Sequence, residues 1–170
     1  MKKRSNSEDE DMVFSLPGVS FSPVSPALTK VRLAGVLLEV IILAAIIAVG
    51  AGFGGSKWFL VLEIVPIVLG IWQLWLIPRQ VRALMWAITD KELLIRRGIM
   101  FRKLTVVPFG RLQFVDLAEG PISRMVGIAE VKLHTASASS DASIPGLPVA
   151  EATQLRQHLT RLGRAEMAGL

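Results

Sequence analysis

The segment "HTASASSDAS" (134–143) holds the residue types of a hydrolytic site: an imidazole, hydroxyls and a carboxylate. A Ser–His–Asp site needs its hydroxyl within hydrogen-bond reach of the base, and the base oriented by the acid. That arrangement is fixed in three dimensions, not by closeness in sequence. On an extended strand, His134 and Thr135 point to opposite faces. The serines that follow have the composition of a hairpin loop. No catalytic residue is assigned on this basis. Metal and cofactor chemistry fare no better. The chain has 2 His and no Cys. This excludes disulfides, thiolate ligands and a cysteine nucleophile, and leaves too few imidazoles for a histidine cluster. No Walker loop occurs, and no nucleotide cofactor is expected.

Charge offers a different chemistry. From Arg79 to Asp116 there are eight basic residues and only three acids, Asp90, Glu92 and Asp116. Basic groups close to an anionic leaflet contribute about 1 kcal/mol each. Arg79, Arg82, Lys91, Arg96, Arg97, Arg102 and Lys103 are therefore candidate contacts with a lipid surface, although part of this charge serves to set membrane topology. Interleaved stacking aromatics are sparse (Phe101, Phe109), so nucleic-acid binding is not expected.

A second group of polar residues lies in apolar surroundings. Glu39, Glu63 and Gln73 sit within the two most hydrophobic stretches. An unpaired carboxylate in hydrocarbon is costly and is neutralised or hydrogen-bonded instead. At about 1.5 Å of rise per helical residue, Glu39 and Gln73 fall at similar depth and Glu63 toward the opposite side. The expectation is that Glu39 faces Gln73.

A third group occupies "VVPFGRLQFVDLAEGPISRMVG" (106–127). Pro108 lacks an N–H and marks a strand end. Alternation puts Leu112 and Phe114 on the core face and Arg111 and Gln113 opposite. Val115 and Leu117 break that rule, which calls for a bulge or a covered outer face. "EGPISRMVG" reads as a loop, in which Gly120 supplies unusual dihedrals and Gly127 lets the chain enter the next strand. Arg111 and Gln113 are expected to bond carbonyls of the 118–124 loop and so hold a corner. A ligand or partner site on the same residues is the alternative.

The elements that carry these groups divide the chain. The hydrophobic share is 52%, above the roughly 45–50% of soluble domains, and the excess lies between Val31 and Ile77. Leu33–Phe53 and Trp58–Ile77 each hold one charge, and about 20 mostly apolar residues suffice to cross a bilayer. Only "GGSK" separates them, so the segment 31–78 is a transmembrane hairpin. Lys2, Lys3, Arg4, Lys30 and Arg32 precede it and Arg79, Arg82, Lys91, Arg96 and Arg97 follow it. The loop holds Lys57 alone, which places both termini in the cytoplasm. Residues 1–30 form a disordered or surface-lying tail, with "SPVSPALTKVR" along the membrane. Residues 164–170 form a short C-terminal tail.

Between 80 and 163 the pattern changes to short strands punctuated by Gly and Pro: "MWAIT", "ELLIRRG", "RKLTVVP", "RLQFVDLAE", "IAEVKLHTAS" and "ASIPGLP". Such spacing indicates a small antiparallel barrel or sandwich. "VAEATQLRQHLTRL" then repeats Val149, Ala152, Leu155, Leu159 and Leu162 as one apolar helical stripe, with Pro148 suited to its first turn. A helical membrane hairpin followed by an α+β domain of this kind is PH-like.

The residues Val107, Pro108, Arg111, Gln113, Val115, Gly120, Arg124 and Gly127, with "HTAS" and "IPGL" before the final helix, complete a pattern. It resembles the YdbS-like family of bacterial PH-domain membrane proteins, which have two helices followed by one PH-like domain. The resemblance covers about residues 22–163 and implies a cell-membrane protein without known catalysis. The expected function is a non-enzymatic interaction module that scaffolds other membrane proteins, paralogues among them, at the cytoplasmic face. The alternative is a sensor of anionic lipid headgroups of the inner leaflet. Oligomers are compatible with either.

Overall fold

Pro23 and Pro26 keep the chain extended just before the first long helix. In the computed structural model, which describes residues 18–54, 62, 64–136 and 141–168, this short segment is built into the domain. Ser22–Pro23 forms β1 and pairs antiparallel with Trp86 and Met85. Ser25 then starts the first helix: its Oγ accepts the Ala27 N–H at 3.3 Å, ahead of which Pro26 fills a position that needs no donor. Val24 and Leu28 are buried in the core of the domain. The Ser25 N–H donates to the Gly146 carbonyl at 2.9 Å. Gly146 has φ +80°, and a Cβ there would stand 2.8 Å from Leu28. A segment expected to lie along the membrane is therefore a strand and two core residues. Val24 and Leu28 are buried in the sandwich rather than at the lipid surface.

Two helices follow, α1 (Ala27–Gly54) and α2 (Ile64–Arg82), both long and apolar enough to cross a membrane. They pack on each other. Gly70 makes the close approach possible, because a Cβ at that position would lie 2.9 Å from Cγ2 of Val40. The outward faces expose Leu37, Leu38, Ile41, Ile46, Ile71 and Leu74, as helices apolar all round do when lipid surrounds them. The tail before residue 18, the hairpin loop with Lys57 and Trp58, and Glu63 lie outside the described residues.

β2 (Met85–Ile88), β3 (Glu92–Arg97) and β4 (Lys103–Pro108) join β1 in one antiparallel sheet of order β1-β2-β3-β4. A 3-10 turn at Phe109–Arg111 buries Phe109 and turns the chain into the second sheet. That sheet is β5 (Leu112–Ala118), β6 (Ile128–Thr135) and β7 (Ala142–Pro148), again antiparallel and in that order. The two sheets and α4 (Val149–Ala168) enclose the core. Ala152, Leu155 and Leu159 are buried and Leu162 packs against them, whereas Val149, first in the expected stripe, is 37% exposed. This is the PH-like fold that the strand pattern called for, with the membrane hairpin placed between its first and second strands.

Two local expectations fail for identifiable reasons. A register shift between Leu112 and Phe114 resolves the broken alternation as a bulge. It turns Leu112 and Val115 inward and leaves Phe114 51% exposed instead of in the core. The "EGPISRMVG" loop contains a short helix, α3 (Pro121–Met125), with Pro at its start. Gly120 is ordinary extended backbone at φ −81°, while Gly127 has the positive φ, +68°.

Candidate membrane-facing site

The hydrolytic-looking residues form a clamp. Asp141 accepts the Thr135 N–H at 2.9 Å through Oδ1, and its Oδ2 lies 3.1 Å from Nδ1 of His134. Nε2 of His134 lies 3.7 Å from Asp116, and the imidazole stacks on Phe114 at 4.3 Å between ring centroids. Both imidazole nitrogens thus face carboxylates, and among the described residues neither is directed at a hydroxyl. The contacts tie β5, β6 and the start of β7 together, which explains how an exposed Phe114 is held. Ser137, Ser139 and Ser140 lie outside the described residues. Among the described residues no group of His, Asp and Glu is arranged to hold a metal.

Arg111 and Gln113 do not hold the 118–124 corner. They stand at the start of β5 and are exposed, whereas that corner lies at its end. With about 3.3 Å of rise per residue, the length of a whole strand separates them. Instead, the backbone carbonyl of Arg111 accepts the Ala136 N–H at 3.2 Å and extends the β5–β6 ladder by one bond. Pro108, Gly120, Arg124 and Gly127 serve turns: Pro108 ends β4, Gly120 and Arg124 bound the α3 turn through an Arg124 N–H to Gly120 O bond of 2.9 Å, and the Gly127 carbonyl accepts the Val149 N–H at 3.2 Å.

Within the hairpin, the Val40–Gly70 contact sets the levels. Gln73 then lies within two residues of Glu39 in depth, about 3 Å. Glu39 is exposed and Gln73 half-buried. No hydrogen bond joins them among the described residues, because the tight Gly70 contact turns Val40, not its neighbour Glu39, toward α2.

The basic residues divide by place. Arg79 closes over the Trp75 ring, 3.4 Å from guanidinium carbon to centroid, and donates to the Trp75 carbonyl at 3.3 Å. Trp72 is also exposed and stands beside Trp75, 5.9 Å between centroids. Aromatic and basic residues so arranged at a helix end mark a membrane–water boundary. Arg82 ends α2, Arg96 pairs with Met85 at the start of β2, and Arg97 pairs with Lys103. Arg96 and Arg97 flank the β3–β4 connection together with Arg102 and Lys103. Lys91 does not join them; it lies in the β2–β3 turn at the other end of β3.

The β3–β4 connection is the feature that sequence reasoning missed. Gly98, at φ +100°, leaves space for the Phe101 carbonyl, with which a Cβ would collide. The tight turn thrusts Met100 and Phe101 outward at 85% and 88% exposure, with Ile99 beside them. An apolar triplet directly after a turn glycine, bracketed by Arg97, Arg102 and Lys103, was the available signal. Exposed apolar groups ringed by cations fit a surface that is wet on one side and lipid on the other.

The family model described as bacterial PH domain matches residues 13–163, which includes β1, the hairpin and the sandwich. The chain belongs to this bacterial PH domain family. It is 33% identical over 148 residues to a protein of Bacillus subtilis (strain 168) named UPF0699 transmembrane protein YdbS, a match covering 83% of this chain and 91% of that relative. No solved structure matches the chain. As a YdbS-like bacterial PH domain protein with two apolar helices, it is a membrane protein. The match begins before the hairpin, in keeping with a domain whose first strand precedes its membrane helices.

Proposed function

We propose that the chain is a non-enzymatic interaction module whose sandwich lies against the cytoplasmic leaflet and engages its anionic lipids. What carries this reading is the outward Met100–Phe101 tip, beside α2 and flanked by Arg97, Arg102 and Lys103. The excess of Lys and Arg on both sides of the hairpin supports a cytoplasmic sandwich. Apolar insertion and electrostatic attraction then act at one edge of the domain. Scaffolding of other membrane proteins is the second reading. It is favoured by β5, an edge strand with Phe114 exposed, and by a groove of about 260 Å³ between β5 and α4.

The chain has no cysteine, so a single M100C label reports its surroundings without background. The full chain is placed in discs of phosphatidylcholine with or without phosphatidylglycerol, and the emission of a polarity-sensitive dye is read. A blue shift in anionic discs that weakens in salt supports the leaflet reading. A dye at D90C stays water-like, since the length of β3, about 20 Å, separates that turn from the tip. Water-like emission at position 100 in both discs would transfer the case to scaffolding.

A further inference from the structure

A cavity of about 540 Å³ opens where the hairpin roots meet the sandwich. Arg32 of α1, Arg97 of β3 and Lys103 of β4 converge on it. Sequence spacing does not reveal this trio, because Arg32 precedes the hairpin and the other two follow it. Among the described residues no carboxylate lines the cavity. Arg32 is half-buried; burial is its largest electrostatic cost, the charge of Arg97 repels it, and Glu130 supplies the opposing attraction. Arg97 donates from Nη2 to the Ser143 carbonyl at 3.3 Å, while its Nε is buried without a hydrogen-bond partner among the described residues. Gathered, partly desolvated cations repel one another and favour an anion between them. Guanidinium forks match phosphate oxygens in particular. The volume suits a small ligand or headgroup.

The remaining walls narrow the source of that phosphate. Leu76 and Gln80 of α2 line the cavity one turn apart, next to Trp75 and Arg79 at the membrane boundary. Ile99, Met100 and Phe101 line it as well. A phosphate at the cations thus has apolar surface beside it for a glycerol backbone and the start of acyl chains. A choline or ethanolamine ammonium would meet three like charges. We propose that this cavity binds the phosphate of a single anionic phospholipid from the adjoining leaflet, an assignment that rests on the leaflet reading of the sandwich.

Native mass spectrometry of the full chain in detergent tests it, with phosphatidylglycerol, phosphatidylcholine or inorganic phosphate added. One phosphatidylglycerol is expected to be retained in preference to phosphatidylcholine. R32Q and K103Q should each weaken retention by about tenfold, the value of one charge-assisted hydrogen bond. K91Q, at the far turn, should retain the lipid as the parent does. Equal retention by R32Q, K103Q and the parent overturns the site, as does displacement of the lipid by inorganic phosphate at equal concentration. The M100C dye shift separates the two readings. If it persists while R32Q and K103Q still hold lipid, the cavity assignment fails and the leaflet reading stands. If M100C with no further substitution shows no shift, the leaflet reading itself fails.

Discussion

Gly146 is where one side chain decides whether the membrane helices and the sandwich pack as a unit. Its φ of +80° and its contact with Leu28 leave no place for a Cβ. G146A is expected to lower stability by about 3 kcal/mol, combining overpacking with left-handed backbone cost. Leu28→Ala, which empties the same contact, should cost about 2–5 kcal/mol. Thermal unfolding of the full chain in detergent reads both. At Arg111 and Gln113 the expectation is the reverse. Both are exposed, so alanine there should change stability by less than about 0.5 kcal/mol. Asp141→Ala should cost about 1–3 kcal/mol, because it strips the Thr135 N–H and His134 of their acceptor. The motif that drew attention by its residue types is therefore less important to the fold than an aspartate inside a segment read as a loop. Residue type alone does not report which donor an acceptor will meet.

Strands of the sandwich were legible where alternation or a closing Gly or Pro marked them, as Gly98 does after β3 and Pro108 at the end of β4. Val131, Leu133 and Thr135 of β6 are buried, as their alternation requires, while Lys132 is exposed. The elements that escaped are those whose cause is not local. β1 is 2 residues long and finds its partners Met85 and Trp86 only across the whole hairpin, so no window of sequence contains the pairing. The bulge at Gln113 shifts the phase within β5, which is why Phe114 was assigned to the wrong face. α3 is 5 residues long, too short for a helical period to show. Arg32 joined the candidate site only when folding brought it to Arg97 and Lys103. One test belongs to this scale. A fragment of residues 80–170 lacks Val24, Leu28 and Ile77 from the core, and should melt without a cooperative transition. Joining residues 18–31 to it through a flexible linker, in place of the hairpin, should restore one. Equal cooperativity of the two fragments would show that β1 is dispensable.

At the scale of the whole molecule, threading a membrane hairpin between the first and second strands gives the sandwich two covalent links to its membrane helices. A domain on one flexible tether samples many orientations. Here the chain leaves β1 directly into α1 and returns from α2 directly into β2, with Ile77 and Val81 of α2 inside the domain core. The Met100–Phe101 tip and the three-cation cavity are aimed at the leaflet only if that attachment is rigid. Spin labels at L38C in α1 and D90C in the β2–β3 turn, in the full chain in lipid discs, measure this directly by pulsed dipolar spectroscopy. One narrow distance distribution is expected, unchanged by the lipid composition of the disc. A broad or multimodal distribution would mean that the sandwich swings free of the hairpin, and would contradict a domain held with one edge to the membrane.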